Sequence, residues 1–162
     1  MPAFEIFPAT TAVDLAAVAG LFGAYAASLS IDLNLQAFDA ELAALPGPYR
    51  PPAGALLLAR APGGAALGCI ALKPLGPPGG GEGVCEIKRL YVRPEARGAR
   101  LGEALVAGVI AAARAAGHAE IKLDTLAEMT AARALYRRFG FVDIAPYGTF
   151  PYPGLICLGR RL

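Results

Sequence analysis

The residues best suited to chemistry lie between Cys85 and Leu105, in the string CEIKRLYVRPEARGARLGEAL. An apolar strand-like run ends at Val92, and Pro94 stops it. The segment Arg97-Gly98-Ala99-Arg100-Leu101-Gly102 then opens a long helical pattern. A helix N-terminus presents unpaired backbone N–H groups and the positive end of its dipole. Glycines let that backbone approach a ligand closely, so the segment reads as a pyrophosphate cradle. The alternative is a strand-to-helix turn that binds nothing. Lys88, Arg89, Arg93, Arg97 and Arg100 crowd the same stretch, which suits a local anionic ligand rather than a long polyanion. No GxxxxGK followed by Ser or Thr occurs, and GxGxxG spacing is not met, so neither a P-loop nor a dinucleotide fingerprint is present.

The elements that must position this loop follow from periodicity. Phe4–Phe7 reads as a short strand, and Thr11 to Asp14 has capping-box spacing before an apolar helical pattern through Leu15, Val18, Leu21, Phe22 and Tyr25. A second helix is expected over Leu35–Leu45, ended by Pro46 to Pro52. Ala55–Ala61 and Leu67–Leu72 read as a hairpin about Pro62-Gly63-Gly64, and Gly76–Gly83 as a loop. Val84–Val92 is the next strand, followed by a helix over Leu101–Ala116 with Gly117 beyond its end. Glu120–Thr125 is a strand, Thr130–Arg138 a helix closed by Gly140, and Phe141–Ile144 and Leu155–Leu158 are two last strands. The expectation is one α/β domain over residues 1–162, with a mixed sheet and helices on both faces.

Composition narrows the function classes. The chain has 162 residues, 56% of them hydrophobic and 17% charged, with a net charge of +2. A packed globule is expected, without a nucleic-acid surface. The N-terminus has no basic region followed by an apolar run, and Ala104–Ala116 is too short to span a bilayer. Cys69, Cys85 and Cys157 are widely spaced and read as buried free thiols in a reducing cytoplasm. With a single histidine, His118, no metal site is expected.

The strings LYVRPEARGARLGEAL and LDTLAEMTAARALYRRFGF together resemble the GNAT N-acetyltransferase family. In that family Arg/Gln-x-x-Gly-x-Gly/Ala binds the pyrophosphate of coenzyme A, and Arg97 to Gly102 occupy the pattern. Ala132, Leu135, Tyr136, Gly140 and Phe141 match its second signature, Ala-x-x-Leu-Tyr-x-x-x-Gly-Phe. Two departures stand out: Arg100 replaces a common glycine, and Met129 replaces a common cofactor-contacting asparagine.

The resemblance implies a mostly antiparallel sheet whose central strands splay, acetyl-CoA as cosubstrate, and an amine acceptor. It implies that the pantetheine arm pairs with the backbone of Leu90, Tyr91 and Val92. It further implies that Tyr136 protonates the departing sulfur. A carboxylate is needed to take a proton from the amine, and Glu86 is the candidate base, its other reading being a salt bridge to Lys88 or another cation. Strict alternation puts Glu86, Lys88, Leu90 and Val92 on one face of their strand.

Without a Ser-His or Cys-His constellation, direct transfer in a ternary complex is expected. A small-molecule amine is the expected acceptor. A protein N-terminus or lysine is the variant that an acidic or extended groove would favour, and a CoA-binding module with little turnover is the non-enzymatic alternative. Asp124 either orients acceptor groups or caps a loop, while Tyr25, the Asp32–Asn34 turn, Tyr147 and Tyr152 are weaker candidates for the acceptor pocket. The final strand, Leu155–Leu158, is available to pair across a homodimer, an arrangement common in the family.

Overall fold

A computed structural model describes residues 3–148 and 152–162. Seven strands form one sheet in the order β1-β2-β3-β4-β5-β7-β6. In chain order they are β1 (Glu5–Pro8), β2 (Ala55–Arg60), β3 (Ala66–Pro74), β4 (Val84–Val92), β5 (Glu120–Leu126), β6 (Val142–Ile144) and β7 (Leu155–Arg161). The helices are α1 (Ala12–Ser28), α2 (Phe38–Ala43), α3 (Leu101–Ala115) and α4 (Thr130–Arg138). Only β4 and β5 run parallel, joined through α3; every other neighbouring pair is antiparallel.

The sheet separates two apolar layers. Leu101, Leu105, Val109 and Ile110 of α3, with Leu135 and Tyr136 of α4, pack on one face against Ile70, Ile87 and Ile121. On the other face Val18, Leu21 and Phe22 of α1 meet Leu58, Cys69 and Tyr91, and Phe38 of α2 joins them. Truncating one of these fully buried leucines to alanine costs about 2–5 kcal/mol.

Local chemistry sets the element ends. Thr11 accepts a hydrogen bond from the Asp14 N–H at 3.1 Å and caps α1. Gly117, at φ 83°, takes the left-handed turn that closes α3, and the His118 N–H returns to the Ala113 carbonyl at 3.1 Å. The helix expected over Leu35–Leu45 is instead broken. A 3-10 turn covers Leu33–Gln36, Ala37 sits at φ 57°, and α2 begins after it. Asp32 holds this turn by accepting from the Asn34 N–H at 2.9 Å, a local bond that competes with helix continuation.

Two irregularities of β4 shape the centre of the molecule. β4 and β5 pair only at Val84↔Glu120, Cys85↔Ile121 and Glu86↔Lys122, and then diverge. Beyond Glu86, the β5-facing edge of β4 has no sheet partner. The register with β3 also slips, from Cys69↔Tyr91 to Ala71↔Lys88, with Arg89 at φ 62°. This bulge breaks the strict alternation expected for the strand. Leu90 and Val92 turn to the α3 layer, whereas Tyr91 faces the α1 layer. Glu86 therefore does not share a face with Leu90 and Val92: the extra residue reverses the side-chain phase.

Strand β7 lies inside the sheet. Cys157, Leu158 and Gly159 pair with β5 on one side and β6 on the other. Of the stretch Leu155–Leu158, Cys157 and Leu158 are thus paired on both sides and Leu155 and Ile156 with β5 alone, and the sheet's edges are β1 and β6.

Candidate active site

A cleft of about 520 Å³ opens where β4 leaves β5. Its walls are the end of β4, the loop into α3 and one side of α4. Of the nine residues assigned to cofactor binding, Leu90, Tyr91, Val92, Arg97, Gly98, Arg100, Leu101 and Gly102 line it, and Ala99 does not. On α4 the lining is mostly small, with Ala131, Ala132 and Ala134 leaving room beside Leu135.

The loop has the backbone geometry of an anion nest. Gly98 at φ 87° and Arg100 at φ 61° turn the chain through two left-handed residues. Such turns gather successive N–H groups into a concave nest. No side chain caps α3, and its first backbone bond runs from Ala104 to the Arg100 carbonyl at 3.1 Å. The N–H groups of Leu101, Gly102 and Glu103 are thus left without intrahelical acceptors. Arg97 folds back and donates to the Val92 carbonyl at 3.1 Å, tying the loop to β4. Exposed Arg100 donates to both carboxylate oxygens of Glu103, at 3.1 and 2.8 Å. That hydrogen bonding lowers the Glu103 pKa.

A second cavity, of about 50 Å³, adjoins the cleft. Tyr25, Leu90, Met129 and Ala132 line both. Tyr136 and Asp124 line the small cavity only. Tyr136 is 5% exposed, and no described residue pairs with its hydroxyl. Burial pushes its phenol well above the ordinary range, so it stays protonated. Burial likewise pushes the Tyr25 phenol up to about 12. Met129 begins α4 without capping it, and its thioether accepts from the Thr125 hydroxyl at 3.7 Å. The residue that departs from the family's asparagine therefore contributes apolar surface where the two cavities meet.

Glu86 lines neither cavity. It lies where β4 and β5 are still paired, only 3% exposed. The Tyr147 hydroxyl donates to its carboxylate, and Lys73 and Lys88 lie 3.7 and 3.8 Å from it. Of the two readings of Glu86, the ion-pair geometry is present. Lys88 also reaches Asp124, at 3.2 Å. Tyr147, just after β6, also sets its ring against the Lys122 ammonium at 5.5 Å. Tyr152 buries its hydroxyl without a partner among the described residues.

Glu103 and Arg138 line the cleft without having been singled out in the sequence, and Lys88, named there only as a basic neighbour and partner of Glu86, lines the small cavity. Lys88 had a signal, since alternation places it on the Glu86 face of the strand and it was the named alternative partner of Glu86. His118 accordingly stays outside, meeting the Ala53 carbonyl at 2.7 Å. Among the described residues no group of three His, Cys, Asp or Glu is arranged to hold a metal ion. No helix there is long and apolar enough to cross a membrane.

Comparison with known proteins now adds to this geometry. The Acetyltransferase (GNAT) family matches residues 26–141. An uncharacterised N-acetyltransferase of Schizosaccharomyces pombe is 43% identical over 132 residues, covering 82% of this chain and 78% of the relative. A Klebsiella pneumoniae protein assigned as an acyl-CoA N-acyltransferase superposes with a TM-score of 0.75 at 29% identity, over 100% of this chain and 99% of its own. A Salmonella typhimurium protein assigned as an acetyltransferase, solved with its cofactor acetyl-CoA, superposes at 0.71 with 19% identity, over 98% and 94% of the two chains. The open β4–β5 splay, the cradle before α3 and these matches lead to one statement: the chain belongs to the GNAT family of acetyltransferases, acyl-CoA-dependent N-acyltransferases whose acetyl donor is acetyl-CoA.

Proposed function

We propose that the protein transfers an acetyl group from acetyl-CoA to the amine of a small molecule, directly and within a ternary complex. The observation that carries this reading is the junction of two cavities at Tyr25, Leu90, Met129 and Ala132. The larger fits a cofactor with an anionic head and a long arm; the smaller is walled by side chains on β4, β5, α4 and the α1–α2 connection. Such confinement suits a compact acceptor better than an extended peptide.

Acetyl-CoA supplies the activated thioester. The unpaired N–H groups at the start of α3 hold its pyrophosphate, and the free edge of β4 over Leu90–Val92 pairs with the arm as an added strand. A β4 backbone N–H there stabilises negative charge developing on the thioester oxygen. Tyr136 keeps its proton until the sulfur leaves and then donates it. The thiols are poor nucleophiles: burial pushes Cys69 and Cys85 each up to about 12. That favours direct attack by the amine over an acyl-enzyme. A cytoplasmic setting accords with three free, buried cysteines.

Thermal unfolding with and without acetyl-CoA tests the reading, with NAD as control. A ligand held at about a hundred times its Kd stabilises the folded state by about 2.7 kcal/mol. A rise with acetyl-CoA and none with NAD is expected, together with thiol release when an amine is added. No rise at millimolar acetyl-CoA overturns it.

A further inference from the structure

Asp124 and Glu86 differ sharply in what surrounds them. Glu86 is held by the Tyr147 hydroxyl and two lysines and lines neither the cleft nor the small cavity. Asp124 stands two residues beyond the last β4–β5 backbone pair and lines the small cavity with Tyr136. Its partner is Lys88, at 3.2 Å. The phenols of Tyr25, Tyr136, Tyr147 and Tyr152 and the Cys157 thiol all feel its charge. Arg89 also lines the cavity, but its guanidinium is claimed by Glu41 at 2.8 Å. Lys88 and Thr125 line it too, and Leu29, Ile31, Leu33 and Leu126 supply apolar wall.

A carboxylate that lines a cavity beside tyrosine rings is a receptor for an ammonium group. Lys88 already fills that role within the protein. Its ammonium lies between two carboxylates, 3.2 Å from Asp124 and 3.8 Å from Glu86. A ligand ammonium can take Lys88's place at Asp124 without leaving a buried lysine unpaired, because Glu86 retains it.

We propose that Asp124 binds the ammonium of a primary amine on an apolar stem and takes its proton, while Glu86 holds the Lys88 displaced from it. This rests on the acetyltransferase reading of the adjoining cleft. Two protons leave the nitrogen during transfer. The first passes to the Asp124 carboxylate and from there to solvent. The neutral amine then attacks the thioester carbon; the N–C bond forms and the C–S bond breaks. Tyr136 donates to the sulfur and is restored by the second proton from nitrogen. Asp124 thus touches the reacting nitrogen, and Glu86 is a positioning residue acting through Lys88.

The test compares wild type, Asp124→Asn and Glu86→Gln with n-butylamine as acceptor, following CoA thiol release from pH 7 to 10 and subtracting the uncatalysed rate. Acetyl-CoA affinity is measured separately by calorimetry, so a failed cofactor site is recognised by itself. An alkyl amine has a pKa of about 10.4, so a missing base matters less as pH rises. Asp124→Asn is expected to lower kcat/KM about 100-fold or more at pH 7 and by less than about 10-fold at pH 10, with unchanged acetyl-CoA affinity. Glu86→Gln is expected to cause a smaller, pH-independent loss. The double variant Asp124→Asn/Lys88→Met removes both charges together, leaves no orphaned ammonium, and must show the same pH-dependent loss if the single variant fails to fold. A pH-independent loss in the Asp124 variants overturns the proposal, as does a pH-dependent loss confined to Glu86→Gln. Wild-type protein that binds acetyl-CoA yet never acetylates n-butylamine also overturns it.

Discussion

Lys88 and Asp124 join side chains at 3.2 Å across the part of β4 and β5 that no backbone pairing joins. Their ion pair spans the splay just beyond the last ladder pair, Glu86↔Lys122. The base of the splay is therefore bridged by a pair of charges. Charges in that position can exchange partners with a charged ligand, which an aliphatic contact cannot do.

The loop before α3 is expected to tolerate little added negative charge. A Cβ at Gly102 would meet Leu135 at 3.4 Å, an ordinary contact, so the backbone accepts a side chain there. Gly102→Glu is expected to keep cooperative unfolding while weakening acetyl-CoA binding at least about 100-fold, because a carboxylate then opposes the pyrophosphate at the helix dipole. Calorimetric titration with acetyl-CoA checks this; retained affinity removes the loop from the site.

Tyr136 is held by an edge-on contact to Phe141, with ring centroids 5.6 Å apart, so the phenylalanine variant preserves its packing. Tyr136→Phe is expected to lower kcat about 100-fold with the KM for acetyl-CoA changed by less than about twofold. Steady-state kinetics with the amine saturating is the measurement. An unchanged kcat assigns protonation of the sulfur to another group.

The residue at the β4 bulge, Arg89, makes a largely buried ion pair. Arg89 donates to Glu41 through Nε at 3.0 Å and a terminal nitrogen at 2.8 Å, and lies 5.3 Å from the centre of the Phe38 ring. Burial is the largest single effect and raises the Glu41 pKa, but the hydrogen bonds and charge of Arg89, with the Tyr49 hydrogen bond and the Lys88 charge, together outweigh it, and the net value falls below the ordinary 4.5. A carboxylate with a depressed folded-state pKa adds stability that is complete above its unfolded value and is lost as pH falls through the folded one. Wild-type stability in urea is thus expected to decline below about pH 4.5. Glu41→Gln is expected to cost about 3 kcal/mol at pH 7, by leaving a buried guanidinium without its counter-charge, and to show a shallower acid decline. Equal acid slopes in the two proteins exclude Glu41 as the titrating group.

The sequence by itself determined the local events. Thr11 caps α1 because a threonine oxygen reaches the N–H three residues on, and Gly117 ends α3 because the left-handed turn there needs no Cβ. Strand β4 and helix α4 keep the bounds read from periodicity, since long apolar alternation and 3.6-residue spacing are properties of neighbouring residues. The loop from Arg97 to Gly102 was legible for the same reason: its glycines and the helix behind it are contiguous.

Only the tertiary structure decided the phase of β4, the break at Ala37, the interior position of β7 and the partners of the two carboxylates. An inserted residue in a strand has no sequence signature when Arg89, an ordinary residue, adopts φ 62° and its ion-pair partner, Glu41, lies 48 positions away. Glu86 and Asp124 look alike in sequence, each an acid on an apolar strand. Their difference arises where β4 and β5 part: below that point a carboxylate is enclosed by lysines and Tyr147, and above it a carboxylate faces a cavity. Strand divergence is a relation between segments far apart in the chain, so neighbouring residues do not encode which acid lies on which side of it.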